Sequence, residues 1–193
     1  MTPAEAFELA YHHTIGIEGG YANDPVDRGG ETFMGISRKH HPDWPGWNIV
    51  DSHFAAGGSI EALEENEFLA GQVKNFYRVK YWNAIHLNDI AGFSWRVAVE
   101  LFDSGINCGP ARAAKWLQMA ANLVGRSNPL VVDGVIGPKT LAFVATVAAD
   151  FEGGLVKTLN GLQFEHYHAI LKSDFSQKRF FRGWMRRVWE DYK

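Results

Sequence analysis

The chain has 193 residues, 46% of them hydrophobic and 13% aromatic, with seven tryptophans and a net charge of −3. That balance excludes an intrinsically disordered chain and allows one compact domain, or a main lobe with a smaller one, around a sizeable core. The single cysteine, Cys108, excludes an internal disulfide framework, and the acidic balance argues against a general polyanion binder.

Taken in chain order, the first element is the most clearly marked. Thr2 as N-cap, Pro3 at the first helical position and Glu5 form a capping box. Phe7, Tyr11, Thr14 or Ile15, and Glu18 recur at three- and four-residue spacing, so the helix is expected to reach Gly19-Gly20 with Glu18 closing its apolar stripe. Residues 19–58 are rich in Gly, Pro, Asp and Trp and read as irregular, with a short strand or hairpin near 32–36. A long ordered loop of this kind is usually functional.

A second helix is expected from Ser59 to about Trp82, with Glu61, Glu64 and Glu65 early and Lys74, Arg78 and Lys80 late, as the macrodipole favours. Residues 83–92 read as a loop. Further helices are expected at 94–104, from Pro110 to just before Gly125, from Pro138 after a loop at 130–137, and at 155–171 and 177–191. The class is all-α, mainly helical, with about seven helices. The basic run Lys178, Arg179, Arg182, Arg186 and Arg187 reads as a solvated helix face.

The chemistry concentrates in residues 18–36, where four carboxylates and five glycines fall within nineteen residues. Glycosidic cleavage needs a carboxylic acid that stays protonated near neutral pH, and a second carboxylate or a positioned water across the bond. Glu18 is the candidate acid, because a helix C-terminus and an apolar stripe both disfavour its charged form. Asp27, before Gly29-Gly30, is the better second carboxylate, while Asp24 before Pro25 reads as a turn residue. Glu31 and the hydroxyl of Thr32 are further candidates for holding a water, which an inverting enzyme admits by separating its carboxyl groups by ~6.5–9.5 Å.

Residues 18–36 resemble the N-acetylmuramidases of glycoside hydrolase family 108, whose motif reads Glu-Gly-Gly-Tyr, Asn-Asp-Pro, Asp-x-Gly-Gly-x-Thr, x-x-Gly-Ile; every fixed position is matched. Later stretches resemble the predicted peptidoglycan-binding region that follows in that family. They are Tyr77…Tyr81-Trp82, Phe102-Asp103-Ser104…Asn107-Cys108-Gly109-Pro110, Trp116-Leu117-Gln118, Asp133-Gly134…Lys139-Thr140 and Gly183-Trp184…Arg187-Val188. The resemblance implies a lysozyme-like helical fold and a division into a catalytic lobe at 1–90 and a wall-binding lobe at 91–193, packed as one unit. It also implies hydrolysis of the β-1,4 bond between N-acetylmuramic acid and N-acetylglucosamine, with Glu18 as acid, in the manner of a phage endolysin.

Tyr21, Tyr81 and Trp82 are candidates for stacking on sugar faces, weighed against core packing. Asp103 and Asn107 are candidates for binding sugar N-acetyl or hydroxyl groups, or for capping. No metal is expected, because His12-His13 and His40-His41 are adjacent pairs that point apart, and no cofactor is expected. Cys108 reads as a buried small hydrophobe. The expected partner is the glycan strand of peptidoglycan, acted on by a monomer that binds no nucleic acid. The N-terminus lacks the marks of an export signal and no apolar run approaches the ~20 residues that span a bilayer. Synthesis in the cytoplasm, action on the cell wall or periplasm after release, and no stable membrane insertion are therefore expected. A lytic transglycosylase and a non-catalytic wall-binding protein are the competing readings, and a nucleic-acid binder is the third.

Overall fold

The structure is a computed structural model that describes residues 1–15, 20–23, 30–126 and 128–189, so Glu18 and Asp27 lie outside the described residues. Among those described, it is mainly α, 75% helical, with nine α-helices and one small three-stranded sheet. Contacts divide the chain into two compact units, residues 11–80 and residues 1–10 with 81–193. These limits differ from a division at residue 90.

Helix α1 (Pro3–Thr14) begins as its sequence requires. The Thr2 amide donates to Glu5 Oε2 at 2.8 Å and the Glu5 amide donates to Thr2 Oγ1 at 3.2 Å, which closes the capping box. Ala6, Phe7, Ala10 and Tyr11 form its buried stripe. The described helix stops at Thr14, with Ile15 in a turn, so its extension to Gly19 falls on residues that are not described.

In the unit of residues 11–80, strands β1 (Tyr21–Ala22), β2 (Thr32–Phe33) and β3 (Ile36–Ser37) pair antiparallel in that order. Met34 and Gly35 join β2 to β3 with φ of 44° and 78°, the two positive values of a tight primed hairpin turn. The Tyr77 hydroxyl donates to the Met34 carbonyl at 2.9 Å, and a Cβ on Gly35 would come within 2.7 Å of that hydroxyl. Gly35 is thus required by backbone conformation and by space.

Two features here depart from the sequence reading. Residues 46–55, read as irregular, form α2 (Gly46–Ala55), which buries Trp47 and Val50 one turn apart and fixes the Trp47 indole N–H on the His41 carbonyl at 2.8 Å. The single helix expected after Ser59 is two, α3 (Ile60–Glu64) and α4 (Glu67–Tyr77). Asn66 causes the break, because its Oδ1 accepts the Leu69 amide at 2.9 Å and caps a new helix. Leu63, Leu69, Val73, Phe76 and Tyr77 then join Phe33, Trp44 and Trp47 in the buried set.

A π-turn, Arg78–Trp82, leads to the other unit. Residues 87–92, read as loop, fall in α5 (Leu87–Phe93), with Leu87, Ile90 and Ala91 buried. Helix α6 (Trp95–Cys108) is capped by Ser94, whose Oγ accepts the Val97 amide at 3.2 Å and donates to Glu152 at 2.7 Å. Helix α7 (Pro110–Val124) starts on its Gly-Pro signal as expected. The stretch α8 (Pro138–Ser173) is two helical segments, as expected there, meeting at a kink at Phe151, whose φ of −151° is not helical. The Phe151 ring lies in the space that a Cβ on Gly154 would need, so glycine there admits the ring beside the kink. Helix α9 (Phe181–Trp189) closes the described chain, with Trp184 stacked on Tyr167 at 4.9 Å. No helix among the described residues is long and apolar enough to cross a membrane.

Candidate functional site

The strands of the small sheet fall, in sequence, within the acid-rich stretch 18–36 and at its end. Strand β1 follows Glu18 in the chain, and Asp27 falls between β1 and β2, both acids lying outside the described residues. Thr32 begins β2, half-buried and opposite Ala22 on one side and Ser37 on the other. Tyr21 begins β1, and several groups fix it. Its ring packs on Phe54 at 4.8 Å and its hydroxyl donates to Glu31 Oε1 at 3.0 Å, while its backbone N–H donates to Glu64 Oε1 at 2.9 Å. Burial pushes the Tyr21 hydroxyl above its ordinary range, so it stays a donor.

Glu31 is committed to an ion pair. Arg38 Nε lies 2.6 Å from Glu31 Oε2, and the other end of the same guanidinium grips Asp51 through contacts of 2.6 and 2.9 Å. The Arg38 plane also lies over the Trp47 ring at 4.4 Å. Hydrogen bonding from Arg38 holds the Asp51 carboxyl below the usual range. Glu31 therefore ties β2 to α2 by way of Arg38, and with both its oxygens engaged by Arg38 and Tyr21 it suits a scaffold role.

A groove of about 300 Å³ in the same unit is lined by His40, His41, Trp44, Gln72, Phe76 and Lys80, among others. The His41 ring stands edge-on to Phe76 at 4.8 Å, and burial, with help from Lys80 and His40, holds the imidazole toward its neutral form.

The remaining candidates fall in the other unit. Tyr81 is half-buried, and burial raises its hydroxyl. Trp82 is corrected: it is 0% exposed, wedged edge-on against Phe7 at 5.3 Å and Phe102 at 5.7 Å, and its N–H donates to Asn88 at 2.9 Å. A ring enclosed on both faces has none for a sugar. Asp103 is corrected in the same way. It is 1% exposed, with Oδ1 at 2.8 Å from Arg187 and Oδ2 accepting from Gln163 at 3.3 Å. Its carboxylate thus serves to hold α9 and α8 on α6. Asn107 is exposed and donates to the Asp103 carbonyl one turn back at 2.8 Å. The Asp133-Gly134 turn is held from α7, where Gln118 donates to Asp133 at 2.8 Å and accepts the Gly134 amide at 2.7 Å.

Sequence reasoning missed Arg38, Asp51 and Glu64 as parts of this region. Arg38 and Asp51 are 13 residues apart and Glu64 is 43 residues from Tyr21, separations at which no local pattern marks a pair.

Comparison with known proteins supplies what these residues alone do not. Residues 11–109 match the family model described as Glycosyl hydrolase 108, and residues 112–189 match the one described as Predicted Peptidoglycan domain. The solved structure of Brucella abortus SagA is similar, with 30% sequence identity over 96% of this chain and 90% of that one, at a TM-score of 0.61. No curated protein matches the chain.

Proposed function

The chain belongs to the glycosyl hydrolase 108 family, a glycoside hydrolase followed by a peptidoglycan domain, and from that premise we propose that it hydrolyses the β-1,4 bond between N-acetylmuramic acid and N-acetylglucosamine in peptidoglycan. The observation that carries this reading is the family match over residues 11–109, which takes in the whole Glu18-to-Ile36 motif.

In the proposed reaction Glu18 protonates the leaving glycosidic oxygen as its bond to the anomeric carbon breaks, and a water held by Asp27 or the Thr32 hydroxyl bonds to that carbon while Asp27 takes its proton. Tyr21 and Tyr81 are proposed to contact the glycan, and Asn107 offers an exposed amide for the same purpose. The setting of Thr32 supports its part, since pairing on both sides in a sheet fixes the backbone from which its hydroxyl projects. The protein acts as a monomer on the wall, as an endolysin does.

Mass spectrometry of digested peptidoglycan tests the reaction type. Muramic acid at new reducing ends is the expected product; 1,6-anhydromuramic ends would replace hydrolysis with transglycosylation.

A further inference from the structure

Residues 172–193 carry seven of the chain's 19 lysines and arginines but three of its 22 acids, so basic charge is concentrated in one stretch of an acidic chain. The contacts of α9 show which of its sides faces the protein. Trp184 stacks on Tyr167 at 4.9 Å, Arg187 pairs with Asp103 at 2.8 Å, and Val188 is buried. These residues share one helical stripe, so Arg187 leaves the solvated face on which its sequence placed it. Arg182 and Arg186 stand two positions from Trp184 and Val188, which at 3.6 residues per turn puts them on the opposite side, and both are exposed. The 3₁₀ turn before α9 (Phe175–Phe180) adds Lys178 and Arg179, also exposed. It adds two bare rings as well: Phe175 is 69% and Phe180 46% exposed. A cation covers each, with Lys178 Nζ 5.4 Å from the Phe175 centroid and the Arg179 guanidinium 4.7 Å from that of Phe180. The acid that opens the turn, Asp174, is engaged in capping it, accepting the Ser176 amide at 2.9 Å and the Gln177 side chain at 3.0 Å.

We propose that this face, made of Phe175, Lys178, Arg179, Phe180, Arg182 and Arg186, is a docking surface for an anionic lipid membrane. The cations meet lipid phosphates, and the rings enter the boundary between headgroups and acyl chains, where an apolar ring beside a cation is at home. Both features are needed to choose the partner. Charge alone would suit a nucleic acid, but the acidic remainder of the chain repels an extended polyanion, whereas a flat lipid surface touches this face alone. Contact is peripheral, since no helix among the described residues is long and apolar enough to cross a membrane. The inference rests neither on Glu18 nor on which bond is cleaved.

Cosedimentation of the full chain with vesicles tests it. Binding is expected to vesicles of phosphatidylcholine and phosphatidylglycerol in a three-to-one ratio, and not to phosphatidylcholine alone. It should weaken as salt rises from about 0.1 M toward 1 M and the Debye length falls from about 10 Å to about 3 Å. Each cation near such a surface is worth roughly fivefold in affinity, so Arg182→Gln combined with Arg186→Gln is expected to weaken binding about 25-fold. Phe175→Ser combined with Phe180→Ser is expected to weaken it at least about tenfold, at high salt as at low, because ring burial is not screened. Exposed side chains are changed in both cases, so Tm should stay within about 2 °C of wild type. Lys178→Gln combined with Arg179→Gln repeats the charge test off the helix, so that a folding defect in one variant does not hide the answer. Equal binding to both kinds of vesicle, binding to neither, or wild-type affinity in the folded arginine variants overturns the proposal. So does tighter binding to a DNA duplex or to purified peptidoglycan than to the mixed vesicles, lost with the same arginines, which would make the face a polyanion site.

Discussion

Replacing Asp103 with Asn separates a structural carboxylate from a sugar-binding one. The Asp103 side chain is 2% exposed and Arg187, its partner at 2.8 Å, is 25% exposed. Breaking a buried pair by neutralising one member costs about 3–5 kcal/mol, and the partial exposure of Arg187 lets water recover part of that, leaving about 2–3 kcal/mol. An unfolding entropy of about 2.1 cal/mol/K per residue gives roughly 0.4 kcal/mol/K for this length, so Tm should fall by roughly 5–8 °C. Scanning calorimetry of Asp103→Asn, Arg187→Met and the double variant measures it, with the double variant recovering at least about 1 kcal/mol relative to additivity. KM for peptidoglycan fragments should not change. A Tm within about 1 °C of wild type, joined to a raised KM, would refute the reasoning and make Asp103 a ligand-facing residue.

Two further outcomes follow from the titrating groups. Burial raises the Cys108 thiol above its ordinary range, so the native protein should react slowly with an aromatic disulfide reagent near neutral pH and rapidly once denatured; equal rates would contradict the burial. His166 is held toward its neutral form by burial and by Arg112, whose Nη1 lies 2.9 Å from Nε2 and, having only donors to offer, requires that nitrogen unprotonated. Its folded pKa lies below the unfolded value of about 6.5, so below that pH the unfolded chain binds the extra proton. Stability from this group is present above about pH 6.5 and is lost as pH falls through the folded pKa. His166→Gln should therefore flatten the decline of Tm between about pH 7 and 5, and an unchanged slope would show that the imidazole plays no part.

What the sequence made legible was what local chemistry encodes. The Thr2-Glu5 capping box satisfies helix-terminal groups with residues a few positions away, and the Gly-Pro starts of α7 and α8 place at the first helical position a residue that has no N–H to satisfy. The Met34-Gly35 hairpin was legible for the same reason. Helix α2 was not, because its apolar face is only Trp47 and Val50 behind a Pro-Gly start that also suits a loop. Asn66 was overlooked as a cap because the acid-then-base gradient ran unbroken across it.

At the candidate site the carboxylate-rich stretch stood out from composition alone, but the partners of its acids did not. Glu31 is committed to Arg38, and Tyr21 to Glu64, through folding that brings distant segments together. The same limit misassigned Trp82 and Asp103, whose residue types suit a sugar cleft and a core equally until burial decides.

In the proposed reaction this family member cleaves glycan with Glu18 as its acid. A reducing-end assay on purified peptidoglycan, run with wild type and with a folded Glu18→Gln variant, tests it most directly. New reducing ends are expected with the wild type, and a loss of at least ~10²-fold in the variant, the lower bound of what a general acid contributes. Wild-type release of reducing ends by Glu18→Gln would contradict it.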